Sequence, residues 1–294
     1  MTETIEIPLD RVRLSALAWG PADGPLAVLL HGFPDTAWSW RHLGPRLAAD
    51  GWRVVAPFLR GYGPSAVPAD GCYAVGALVS DAVGVHTALG GDDRAVLVGH
   101  DWGAITANAL GAHPRSPYAR VVSMAVPPLS LMGGGSPGLL LRQARLSWYT
   151  VFNQLPVLPE LAFERLVARL WEDWSPGHDG ADDVARVLAA VPDRGRRSAV
   201  LGYYRAVPRS LRPGWVPEPY RDWHTTWDGV PTVPGLVLHG TRDGCLQPAL
   251  AERAAARLPA GVRFVAVPDA GHFLQVEQPE QVGDLVAEFV RGAG

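Results

Sequence analysis

Ala95-Val96-Leu97-Val98-Gly99-His100-Asp101-Trp102-Gly103 opens on an apolar β-forming run and leads into small residues, Ala104, Ala107 and Ala109. The pattern predicts a strand, a sharp turn and a helix, with Asp101 at the centre of a Gly-x-nucleophile-x-Gly elbow. The glycines fit a turn whose neighbours come too close for side chains. An aspartate there holds its carboxylate near a helix N-terminus, where partial positive charge favours an anion. The plainer role for Asp101 is to cap that helix. A carboxylate with an ordinary pKa of ~3.9 is ionised at pH 7 and attacks without a base. It suits displacement at saturated carbon, leaving an alkyl ester on the protein. Serine-type ester cleavage does not fit this elbow.

Outward from the turn, short apolar runs alternate with helix-length segments. Strands are predicted at 4–9, 12–19, 26–30, 53–57, 95–98, 121–126, 235–239 and 262–267. The first two, joined by Asp10-Arg11, read as an antiparallel hairpin. Helices are predicted at 38–49, 73–89, 102–112, 248–258 and 279–291. This alternation implies an α/β fold with an eight-stranded, mostly parallel sheet and helices on both faces. Between Val126 and Gly235 the strand signal stops, and helical segments (139–152, 161–171, 181–190) follow among Pro, Gly and Arg. Six of the eleven tryptophans lie there: Trp148, Trp171, Trp174, Trp215, Trp223 and Trp227. Residues 129–230 are therefore expected to form an inserted helical cap, with 1–128 plus 231–294 as the core domain. The cap's aromatic wealth fits a lid over an apolar pocket.

With 294 residues, 48% hydrophobic and 19% charged, the chain reads as a soluble globular protein with a large core. A formal charge of −3 gives no reason to expect nucleic acid or an acidic membrane as partner. All 26 basic residues are Arg, which reads as compositional bias rather than chemistry. Cys72 and Cys245 read as free thiols in a reducing compartment, and no Cys/His metal-ligand spacing is present. Acids among the first nine residues argue against a signal peptide, and no apolar run reaches the ~18 residues of a membrane span. A cytoplasmic protein is expected, with monomer and homodimer equally open.

Three further loops complete a constellation. His31-Gly32-Phe33-Pro34 follows the third strand, where a backbone N–H can serve an oxyanion together with that of the residue after the nucleophile. This nominates the amides of Phe33 and Trp102; His31 reads as structural. Asp243 follows the seventh strand in His239-Gly240-Thr241-Arg242-Asp243, and His272 follows the eighth in Asp269-Ala270-Gly271-His272-Phe273. The order nucleophile, acid, histidine is that of the α/β-hydrolase triad. His272 is the expected general base, oriented by Asp243. Asp269, on the same short loop as His272, is the weaker candidate acid.

On these motifs, together with Arg60-Gly61-Tyr62-Gly63-Pro64-Ser65, the chain resembles the soluble and bacterial epoxide hydrolases of the α/β-hydrolase superfamily over nearly its full length. The resemblance implies a cis Phe33–Pro34 peptide. It also implies two phenols that hold and protonate the epoxide oxygen, matching Tyr149 before Gln154-Leu155-Pro156 and Tyr204 before Arg205, with Tyr203 the near miss. A small-molecule apolar epoxide is the expected partner, contacted by Phe33, Trp102 and Phe273; no metal or organic cofactor is implied. Phe58 departs from the family, which usually has an aspartate there. A haloalkane dehalogenase shares part of the motif set. It needs two side-chain N–H donors for halide, and Phe33 stands where that family often has an asparagine. A non-catalytic ligand-binding hydrolase fold is the other alternative.

Overall fold

Residues 2–292 are described by the structure, a computed structural model; Met1 and the last two residues of the expected core domain lie outside it. Eight strands are found: β1 (Glu3–Pro8), β2 (Arg13–Trp19), β3 (Leu26–Leu30), β4 (Arg53–Pro57), β5 (Val96–His100), β6 (Arg120–Met124), β7 (Gly235–Gly240) and β8 (Val262–Val267). They form one sheet in the order β1-β2-β4-β3-β5-β6-β7-β8. β1 pairs antiparallel with β2, and β2 with β4; every other pairing is parallel. β3 and β5 are buried at every position, as strands covered on both faces must be.

The strand order locates a crevice. From β3 the chain moves outward to β4, then crosses back to place β5 on the other side of β3. Right-handed crossovers put the two connecting helices on opposite faces, so the loops leaving β3 and β5 part at the strands' carboxyl ends. Leu30 is paired with Gly99 across that point, which brings residues 31–34 and 101–103 side by side. β7 and β8 end on the same edge, with Gly240 paired to Val267.

Between β6 and β7 the described chain is free of strands. It holds the helices Pro137–Leu146, Trp148–Phe152, Leu158–Leu161, Phe163–Trp174, Ala181–Ala190, Arg194–Ser210 and Glu218–His224. Two predicted helices are each divided. The 38–49 segment becomes a 3-10 turn, Ala37–Trp40, followed by a helix, Leu43–Ala49. Pro45 has no N–H to offer the Arg41 carbonyl, so a helix running through this point would lose that hydrogen bond, and the segment breaks here instead. The 139–152 segment divides at Ser147, which ends one helix and starts the next. No helix of the described residues is long and apolar enough to cross a membrane.

Candidate active site

Asp101 has φ 51° and ψ −112°, a region that non-glycine residues avoid. Such strain persists only where surrounding structure enforces it. Here the enforcement is steric: a Cβ on Gly99 would lie 2.0 Å from the Gly103 carbonyl oxygen, and one on Gly103 would lie 2.0 Å from that of Leu30. The elbow closes only because both positions lack side chains. Asp101 makes no side-chain cap to the helix Trp102–Ala112, so capping does not explain it. Its Oδ1 instead accepts the Phe33 N–H at 2.7 Å, across the β3–β5 crevice. The Trp102 amide, at the first turn of that helix, lies outside the helical ladder.

Gly32 faces the same carboxylate closely: an added Cβ would stand 2.3 Å from Asp101 Oδ1. Gly32→Ala is therefore expected to displace the carboxylate and slow turnover about 10²-fold or more. Circular dichroism should be unchanged, and single-turnover kinetics would read the loss.

His272 is fully buried, with Nδ1 2.9 Å from Asp243 Oδ2 and Nε2 3.7 Å from Asp101 Oδ2. The other Asp243 oxygen accepts the N–H groups of Cys245 (2.7 Å) and Leu246 (2.9 Å), which fix the acid in place. Burial alone would push the His272 imidazole down; the Asp243 carboxylate, with Cys245 and Asp101 beside it, outweighs this and holds it well above the usual histidine range. Burial likewise opposes the charge on Asp243, yet the adjacent imidazole keeps its carboxyl below the ordinary value. Nε2 has no hydrogen-bond partner. Asp269 does not compete: it is exposed and faces Arg242 at 3.5 Å. His31 receives the Leu59 N–H at 3.0 Å, and burial lowers it to about 4, as befits a structural imidazole.

Tyr149 and Tyr204 come from two helices, Trp148–Phe152 and Arg194–Ser210, and their rings meet edge to face at 5.5 Å. Both line, with Asp101 and Trp102, a cavity of about 540 Å³. Burial pushes both phenols well above the ordinary tyrosine value, which keeps them protonated. Tyr204 Oη has no partner, whereas Tyr149 Oη meets Cys245 Sγ at 3.4 Å. Tyr203 is spent elsewhere: its hydroxyl donates to the Arg60 carbonyl at 2.8 Å.

The two phenol-bearing segments are tied together. Pro208 cannot donate to the Tyr204 carbonyl, and Gln154 Nε2 does so at 2.9 Å. Arg205 bonds the Asn153 and Leu155 carbonyls and pairs with buried Glu160 at 2.7 Å. Arg205→Ala would leave that carboxylate unpaired and is expected to cost about 3 kcal/mol. Thermal melting would measure it.

The side chains of two expected substrate contacts, Phe33 and Phe273, pack against other rings. The Phe273 ring lies flat on Trp171, 3.6 Å between centroids, in a stack of three rings completed by Trp174. The Phe33 ring packs edge-on against Tyr204 and Phe163, so Phe33 serves the site through its amide. Neither side chain belongs to the cavity wall, which includes Ile105, Val126, Leu129, Met132 and Val207; Asp101 is the charged residue in it. Cys245 also lines it and carried no sequence signal of its own; Gln154, part of the motif that marked Tyr149, lines it too. The spacing of Cys and His predicts no metal cluster, yet folding gathers a ligand atom each from Asp243, Cys245 and His272 within 4.8 Å of one another. Phe58 is buried, and nothing in the structure explains its departure from the family; buried Arg60, two residues on, pairs with Asp81 at 2.7 Å. The Phe33–Pro34 peptide is cis.

The model of the α/β-hydrolase fold family matches residues 25–279. Epoxide hydrolase A of Mycobacterium tuberculosis is 32% identical, covering 97% of this chain and 96% of the relative. An AB hydrolase superfamily protein of Bacillus subtilis, YfhM, is 30% identical over 95% of each. The crystal structure of a putative epoxide hydrolase from Klebsiella pneumoniae superposes with a TM-score of 0.82 at 26% identity, covering 98% of this chain and 97% of that one. A haloalkane dehalogenase from Bradyrhizobium elkanii shares the fold at 22% identity, TM-score 0.78, covering 100% and 97%. With its strand order, its elbow and these matches, the chain belongs to the α/β-hydrolase superfamily, in the group of the epoxide hydrolases.

Proposed function

We propose that this enzyme opens an apolar epoxide to a vicinal diol through an ester on Asp101. The observation that carries the reading is one cavity walled by a carboxylate at the strained elbow and by two protonated phenols. Residues 129–230 act as the cap over the core formed by 1–128 and 231–294, since both phenols come from the insertion and the carboxylate from the sheet.

Asp101 Oδ1 is engaged by the Phe33 amide, which leaves Oδ2 to attack an epoxide carbon. As the C–O bond breaks, Tyr149 and Tyr204 hydrogen-bond the departing oxygen and deliver a proton to it. His272 then deprotonates a water that adds to the Asp101 ester carbonyl, with Asp243 behind the ring. The Phe33 and Trp102 amides hold the resulting oxyanion. A neutral, largely hydrocarbon substrate fits walls of Ile105, Val126, Leu129 and Met132, with no side-chain cation to bind an anionic one.

A single turnover in ¹⁸O water tests the covalent route. The first diol should be unlabelled, because its new oxygen comes from Asp101; labelled diol overturns the reading. Epoxides and haloalkanes assayed side by side test the substrate class. Styrene oxide should be consumed and short bromoalkanes left intact; the reverse, or binding without diol, would count against it. Tyr149→Phe and Tyr204→Phe are each expected to slow ester formation on the order of 10²-fold, read by rapid-quench kinetics. Ester hydrolysis should change far less, because the phenols act before it.

A further inference from the structure

From the grouping of a thiol, an imidazole and two carboxylates at the cavity, we propose an inhibitory site for thiophilic divalent cations, zinc and cadmium above all. Its ligands are Cys245 Sγ, His272 Nε2 and Asp101 Oδ2. Nε2 is fully buried and without a partner. It stands 3.7 Å from Asp101 Oδ2. Two donors on one tetrahedral zinc stand about 3.4 Å apart, so a shift of a few tenths of an ångström suffices. Cys245 Sγ lies within 4.8 Å of a ring nitrogen of the same imidazole and lines the cavity together with Asp101, so the thiol closes by up to about 1 Å through rotation of its side chain to join them. Asp243 is not needed as a direct ligand. Its oxygens are committed to His272 Nδ1 and to the Cys245 and Leu246 amides, and a carboxylate behind a metal-binding imidazole orients the ring. The fourth position opens to the cavity, through which the ion enters.

Binding exchanges protons for metal. The Cys245 thiol loses H⁺ as the S–metal bond forms, and His272 gives up its Nε2 proton, so affinity rises with pH. The bound ion occupies the nucleophile and the base at once. A thiolate joined to imidazole and carboxylate suits zinc or cadmium and not magnesium or calcium.

Cadmium chloride titrated into the whole chain should produce the ultraviolet cadmium–thiolate charge-transfer band at one ion per chain. Magnesium should produce none. The band should vanish in Cys245→Ala and Cys245→Ser, persist in Cys72→Ala, and weaken at least tenfold in apparent affinity in His272→Gln. This arm needs no epoxide turnover, so it stands or falls separately from the catalytic reading. Where diol formation is measured, zinc should inhibit reversibly by EDTA, with the midpoint at least tenfold higher in the Cys245 variants, each compared with its own metal-free rate. A folded wild type with no band, a band that follows Cys72, or equal zinc sensitivity without Cys245 would overturn the proposal.

Discussion

Asp101→Ala is expected to reduce diol formation by about 10⁴-fold or more, because a covalent route loses its bond-forming atom. Loss of fold is the competing explanation, since the residue sits at φ 51°. Asparagine tolerates positive φ better than most residues and keeps the shape of aspartate, so Asp101→Asn separates the two. Both variants should melt cooperatively, yet neither should form an ester with epoxide, as intact-mass spectrometry would show. If either kept activity within tenfold of wild type, a water activated directly by His272 would be opening the ring. The carboxylate would then be a bystander.

The elbow was readable because its constraint is local. Backbone crowding at Gly99 and Gly103 demands glycine, and the strand before it is a plain apolar run. Asp243 and His272 were readable for a related reason: each follows a strand that ends at the sheet's carboxyl edge. The helix Arg194–Ser210, the one that carries Tyr204, was not foreseen. Gly195, Gly202, Pro208 and five arginines within it obscure the apolar periodicity, and its stability comes from packing Val200, Leu201 and Tyr203 into the core. Residue type alone does not distinguish Tyr204 from Tyr203; only the following Arg205, read through the family resemblance, did. Only tertiary structure sends one hydroxyl to the Arg60 carbonyl and leaves the other at the cavity. Cys245 is a similar case, being placed beside His272 by the Asp243 turn and not by any pattern in its own residue types.

His272→Gln is expected to form the Asp101 ester and then stall, with hydrolysis slowed on the order of 10²–10⁴-fold. Incubation with substrate should add one substrate mass to the chain, and the adduct should vanish in Asp101→Ala. The pH dependence follows from charge. In the resting state Asp243 and the nearby Asp101 raise the His272 pKa, so the ring holds its proton at neutral pH. Alkylation removes the Asp101 charge 3.7 Å away, and the ring's proton affinity falls. In wild type, hydrolysis of the ester should therefore accelerate with rising pH and level off below the resting-state pKa of His272. Stability runs the other way. A raised folded-state pKa contributes fully below the unfolded value near 6.5 and is lost as pH climbs through the folded one. The wild type's melting advantage over His272→Gln should shrink on alkalinisation through that window while its hydrolytic step quickens. A melting advantage that grew instead would mean that the ring is neutral at rest, with no charge interaction for alkylation to release.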